Sequence, residues 1–384
     1  MVDSQRPSAA QSQSKLYQSI DSAVSGGAVA VRVSAKLEPI AGGDKILPPT
    51  YAPEKGDGGR HNTTPLENGR AAWVSVDAPA SFANRVEAAL VGADLNLDPL
   101  RTEVNRITYS TMQLPHRAFD AGIRESSIDG IPFRKTEIGQ SVIAATPRNA
   151  EALLRYDPSV LLLGGWDSTE LGQAGGIGNK WPAALSVEIV ATDVMPIGRA
   201  GSRIDPMGVE GTAQNIVIEA DGSMSMATED SLTRVEAAKK AKSEYPRLAK
   251  PSEVNLGNVT PTITPKGVVV GGEIVLRGAI SLTRLRRYRF GEVDANSART
   301  FLALMGVYGI AAVLADGLDL RRDCELVPTQ VQWSLVGADG ADALSFTLEE
   351  AREALAFARS TVPVSEPVVM VAGKALASLA KRAV

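Results

Sequence analysis

The alternation in Ala28–Glu38 constrains this chain more than any other run of residues. Val29, Val31, Val33, Ala35 and Leu37 fall on one side, and Arg32, Ser34 and Lys36 fall on the other. A period of two is the mark of a strand with one buried face. Here the other face carries cations. Pro39 and the Gly42-Gly43 pair end the strand. A sheet built on it needs a layer against its apolar side, and the downstream sequence supplies candidates. After Asp77-Ala-Pro79, residues Phe82, Val86, Ala89 and Leu90 form a helical stripe, which leaves Asn84, Arg85 and Glu87 on the surface. Residues 136–145 and 149–156 read as short helices, with Thr146-Pro147 as the cap and first position of the second. Residues 297–316 form an apolar helix, and Thr347–Ser360 another, opened by a Thr347/Glu350 capping box.

Further strands are predicted at Val160–Leu163, from Leu185 to about Val194, and within the strand-rich Val268–Phe290. Ile216–Ile218 and Met224–Met226 flank Asp221-Gly222, a hairpin signal. Strand, long connection, helix, several strands and then helices predict an α+β fold. Helices pack on one face of an antiparallel sheet and the other face is left free to bind.

At 384 residues the chain has room for two or three domains, or for one elaborated domain. Residues 1–25 are polar and are expected to be a disordered tail, leaving 26–384 as the elaborated domain. Residues 41–70 are rich in Gly, Pro, Asn and Asp and read as a functional flap. Residues 229–250 look like a charged, exposed insertion within an inserted subdomain at about 200–265. The single cysteine, Cys324, excludes an internal disulfide framework and points to a reducing cytoplasm. With only His61 and His116, zinc sites built on several His and Cys are excluded. Val160–Leu163 is an apolar run far too short for a bilayer, and no membrane partner is expected.

Several motifs invite chemistry. The run Gly172-Gln-Ala-Gly-Gly-Ile-Gly-Asn-Lys180 resembles a phosphate loop, but Trp181 stands where Ser or Thr, or a third glycine, is required. It reads as a flexible loop. His116, beside Arg117, has no evident partner base, so a structural or phosphate-contacting role outweighs acid–base catalysis. Asp193 and Asp205 are unpaired candidates for a metal and carry little weight. No G-x-S-x-G elbow occurs, and Cys324 has no catalytic signature. The densest constellation is Arg277–Phe290, with five arginines, two aromatics and no acid. Its second half, read as a strand, places Arg284, Arg286, Tyr288 and Phe290 on one face and Arg287 and Arg289 on the other. A strand does not bury arginine on both faces cheaply, so the segment is expected to project into solvent or onto a polyanion. Forked arginines with an aromatic suit single-stranded RNA; a solvated strand end, or pairing with acids of a neighbouring subunit, suits the same pattern. The balance of 40 basic against 44 acidic residues averages over unlike surfaces and decides nothing.

An ordered set of segments resembles one family: Ser81–Glu87, His116-Arg117, Phe133–Gly139, Gly164–Ser168, Ser186–Val190, Gly201–Pro206 and Thr283–Phe290. Over about residues 28–335 the chain is similar to the backbone subunit of the type I-G (formerly I-U) CRISPR Cascade, which fills the Cas-seven role in the RAMP superfamily. The resemblance implies an RRM-like (ferredoxin-like) core with a large insertion and a thumb-like hairpin. It implies several head-to-tail copies along the spacer of a CRISPR RNA, presenting that RNA to a target DNA strand, beside end-capping and large Cascade subunits. No catalysis and no cofactor are expected. The candidate RNA partners are Arg32, Lys36, Arg85, His116, Arg117, Arg134, Lys135, Arg203, Arg284, Arg286, Arg287 and Arg289, with Tyr288 as a stacker. The competing readings are a RAMP-type RNA endonuclease using His116, and an assembly protein whose arginines pair with acids on a neighbouring subunit.

Overall fold

The computed structural model describes residues 14–51, 61–110, 112, 125–165, 181–201, 215–254 and 262–380. The chain divides into two compact units, Met1–Met195 with Val270–Val384, and Pro196–Val269. The first is mixed α+β and is organised around four strands: β1 (Ala30–Pro39), β3 (Leu185–Gly201), β4 (Ile274–Ser281) and β5 (Cys324–Gly337). Their spatial order is β5-β1-β4-β3, and each neighbouring pair is antiparallel. Strand β2 (Arg70–Asp77) pairs with β3.

The expected alternation holds within β1, where Val31, Val33, Ala35 and Leu37 are buried and Arg32 is exposed, but Val29, just before the strand, is 43% exposed and not part of the buried face. The same parity runs on into Leu276 and Ile280 of β4 and Val187 and Ile189 of β3, which are all buried. This apolar face lies under a helix layer. At its centre is α3 (Ala295–Asp316), which buries side chains all around, as a core helix does. Its mean hydropathy of 1.7 would suit a membrane span, yet 78% of that window is covered by the rest of the fold. Gly306 permits its close seat on the sheet: a Cβ there would stand 2.7 Å from Ile280 Cδ1.

Around α3 pack α1 (Lys15–Ser25), α2 (Pro79–Gly92) and α4 (Leu348–Ser360). Helix α1 replaces part of the expected disordered tail. Its Leu16, Tyr17, Ile20, Ala23 and Val24 form an apolar stripe, Ser14 caps its start, and Tyr17 meets Phe357 of α4 edge-on at 4.7 Å. Helix α4 carries the expected capping box, with Thr347 and Glu350 each bonding the other's backbone N–H.

Three local readings change. Val160–Leu163 belongs to a buried helix, Pro158–Leu163, not a strand. Pro158 at its first turn and Gly164 at φ 86° after its end supply the boundaries that a short apolar run cannot. Thr146 bridges Asn149 in a turn and caps nothing; the next helix starts at Glu151. Glu87 is buried at 7% exposure, not on the surface.

The first unit also holds a smaller sheet in which Val368–Val371 pairs parallel with Leu100–Val104. In the second unit, Ile216–Ile218 lies between Met224–Met226 and Arg247–Ala249, beside the helix Glu229–Lys240. The hairpin at Asp221-Gly222 is present, and Asp221 accepts from Ser223 N at 2.9 Å.

Candidate nucleic-acid interface

The side of the sheet away from the helices is polar. Residues directly opposite one another share a face, so the register can be read as rows across β5, β1, β4 and β3. One row is Ser334, Arg32, Ala279 and Ser186, and the next is Gln332, Ser34, Arg277 and Glu188. The third is Gln330, Lys36, Val275 and Val190. Val190 is 5% exposed and stands opposite the buried Ser75, which bounds the open area on that side.

Two ion pairs lie on this face. Arg277 Nε donates to Glu188 Oε1 at 2.8 Å, and Lys36 Nζ donates to Glu273 Oε1 at 3.0 Å. All four side chains are solvent-accessible, from 37% for Glu188 to 63% for Arg277. Arg32 is exposed and makes no hydrogen bond or ion pair among the described residues. Trp73, opposite Thr192 on β3, is 37% exposed. The sequence reading selected Arg32 and Lys36 correctly as neighbours on one face. It missed Arg277, Glu188, Glu273 and Trp73 as parts of that surface, because cross-strand register brings them there.

The arginine run after β4 is built differently. It does not continue as a strand. Ser281 caps the short helix Leu282–Leu285, and the chain then turns. Arg284 donates to Ala183 O. Arg286 reaches the end of α1 and donates to Ala23 O at 3.0 Å, Val24 O at 3.1 Å and Ala28 O at 2.6 Å. Ala23 O and Val24 O belong to the last turn of α1, where carbonyls have few other donors. Arg289 turns back to Arg286 O at 2.7 Å, and Arg299 from α3 donates to Tyr288 O at 3.0 Å. Burial lowers the Arg299 pKa, helped by the neighbouring cations Arg289 and Arg286.

Tyr288, read as a stacker, is 2% exposed. Its ring lies 5.6 Å from that of Trp181 and 6.4 Å from that of Phe290, and its hydroxyl donates to Pro182 O at 3.4 Å. Burial pushes its pKa up to about 12. No ring face is left for a base, and the residue belongs to the core. Arg287 alone in the run is exposed and unbonded among the described residues.

The other candidates separate in the same way. Arg85 holds the buried Asp77 at 3.3 Å and donates to Asp319 O and Leu320 O, tying α2 to the strand Leu318–Arg321. Arg134 and Lys135 are exposed on a 3₁₀ turn anchored by the buried Phe133. His116, Arg117, Arg203 and Asp205 lie outside the described residues, as does the whole glycine run Gly172–Lys180. Asp193 pairs with Arg70 at 2.5 Å, and that guanidinium lowers its pKa. Among the described residues no cluster of three metal-ligating side chains occurs. Cys324 is buried, and burial pushes its pKa up to about 11.

Residues 31–196 match the family described as CRISPR-associated protein GSU0053. That match marks a CRISPR-associated protein. No curated protein matches the chain. The matched residues of this CRISPR-associated chain hold Arg32, Lys36, Trp73 and Glu188 on the open face. Arg277, Glu273 and the arginine run lie beyond them.

Proposed function

We propose that this CRISPR-associated protein is a non-catalytic backbone subunit that binds a CRISPR RNA within a type I Cascade complex. It works in the cytoplasm, lines up in several head-to-tail copies along the guide, and presents the guide to a target DNA strand beside the other Cascade subunits. The observation that carries the reading is the open face of β5-β1-β4-β3, with its helices packed on the opposite side. Helices lie between its first and second strands in chain order and between its third and fourth, which supports an RRM-like reading of the sheet. Such sheets bind single-stranded RNA on the uncovered face. Among the described residues Arg32 stands there without a partner, Arg277 and Lys36 are held by exposed carboxylates, and Gln330, Gln332, Ser334 and Ser186 add neutral donors and acceptors. Head-to-tail stacking is a heterologous contact that produces an open helix, with RNA length setting the copy number.

The test is the nucleic acid that co-purifies with the expressed protein. RNA of a discrete length, with protein copy number rising with that length, supports the reading. If each subunit meets about five or six phosphates, binding should weaken with salt at a slope of about -4 per subunit. Protein that binds no RNA in a salt-sensitive way overturns it. His116→Ala separates this reading from an endonuclease, because only an endonuclease has cleavage of labelled RNA to lose.

A further inference from the structure

We infer that Glu188 and Glu273 are specificity-determining residues that make the open face reject ligands recognised by charge alone; the inference rests on the nucleic-acid reading of that face. The register places Arg277 between Ser34 and Glu188 in one row, and Lys36 reaches diagonally to Glu273, just before β4. Both carboxylates therefore stand among the cations a phosphate would use, and each already holds one of them at 2.8 Å and 3.0 Å.

These pairs do not lock the face. Exposed ion pairs exchange with little loss, so a ligand able to replace the carboxylate can take the cation. What the glutamates do is repel a phosphate that is forced to lie over them. A duplex is stiff, hides the Watson–Crick edges of its bases and recesses the others in grooves behind two rows of phosphate, so against a flat sheet it meets Glu188 and Glu273 with phosphate first. A single strand can. It can set a phosphate at Arg32 and rotate a ribose hydroxyl or base amino group toward each carboxylate, where both act as donors. The neutral groups of β5, Gln330, Gln332 and Ser334, stand beside the same cations and bond such a strand without charge. The selectivity arises from repulsion placed between attractive groups, and repulsive elements are what separate related ligands.

The experiment compares wild-type protein with the double variant E188Q/E273Q. Its two probes are a labelled single-stranded RNA of mixed sequence and a DNA duplex of equal length, measured by anisotropy across a potassium chloride series. The variant is expected to bind the duplex about tenfold more tightly, roughly threefold from each glutamate. Its salt slope on the duplex should steepen by roughly two, one freed cation for each substitution. RNA affinity should change by less than about twofold, because the flexible strand already avoids the carboxylates. Unchanged duplex affinity and slope, or equal gains for RNA and duplex, overturn the inference. Wild-type protein that prefers RNA, beside a variant unchanged on duplex, removes the gate and keeps the RNA reading. Wild-type protein that ignores RNA, beside a variant that gains the duplex, removes the RNA reading and supports the gate. Thermal unfolding checks the fold of the double variant; if it is unstable, E188Q and E273Q made singly carry the same test at about threefold each.

Discussion

The helix layer and the open face belong to one sheet and treat charge in opposite ways. In the helix layer, Arg286 serves three backbone carbonyls and Arg85 serves Asp77 and two more. Glu87 and Asp157 are buried there, with pKa values pushed up to about 8 and about 7, chiefly by burial. On the open face the charged groups are solvent-accessible, the pairs are exchangeable, and Arg32 is unpartnered among the described residues. Arginine density is highest in the run that is mostly committed to backbone oxygens. Availability for a ligand therefore depends on which acceptor a guanidinium already meets. A carbonyl at a helix end loses its donor if the arginine leaves; an exposed carboxylate returns to water.

The largest expected effect tests the buried acids. Glu87 titrates near 8 in the fold against an ordinary 4.5, because burial disfavours its charge and Asp157 adds repulsion. Asp98, also buried and raised, acts on Asp157 in the same sense. The folded state keeps a proton at Glu87 that the unfolded chain has released, so the contribution of this group to stability is full below about 4.5 and is lost as pH rises to about 8. Glu87→Gln removes that loss. Urea unfolding should show near-equal stability of variant and wild type at acidic pH, with the variant ahead by on the order of 3 kcal/mol at alkaline pH. Equal pH profiles would show that Glu87 is solvated, and the contrast between the two sides would fail.

Two adjacent arginines give the next test. Arg286→Ala leaves Ala23 O, Val24 O and Ala28 O without their donor and should destabilise the fold by about 2–3 kcal/mol. Arg287→Ala touches no described partner and should leave the unfolding midpoint unchanged. If both changes weaken RNA binding equally and neither lowers stability, the run is a ligand surface after all.

What the sequence revealed follows from the range of the interactions involved. Alternation in β1 is local, and so Val31, Val33, Ala35 and Leu37 were legible as core and Arg32 and Lys36 as open face. The capping box of α4 and the Asp221-Gly222 hairpin were legible for the same reason. The partners of Arg277 and Lys36 were not, because Glu188 is 89 residues away in sequence and Glu273 is 237. The place of Tyr288 is not legible because alternation predicts a continuing strand, whereas the Ser281 cap starts a helical turn that carries the ring inward. Glu87 was misread because its helical position adjoins the apolar stripe, and only the packing of α2 against α3 shows how wide that stripe is.

On the open face, stability and binding should come apart. Arg32→Ala is expected to reduce the RNA salt slope by about 0.7, one phosphate contact, with no change in the unfolding midpoint. Arg277→Ala should do the same, since its pair with Glu188 is exposed at both ends. A loss of stability in either variant would move that residue to the other side of the comparison.

The smallest effect is the most direct measure of exchangeability. Lys36 and Glu273 are joined by one hydrogen bond at 3.0 Å, with side chains 43% and 58% exposed. A double-mutant cycle with Lys36→Ala and Glu273→Ala, read by urea unfolding without RNA, should give a coupling of about 0.5 kcal/mol. It should shrink as salt rises, because exposed charges are screened within roughly one Debye length. A coupling this weak lets a phosphate take over Lys36 at small cost. A coupling above about 2 kcal/mol, persisting in high salt, would mean that the pair is a fixed cross-strand clasp. Lys36 would then be as unavailable to RNA as Arg286.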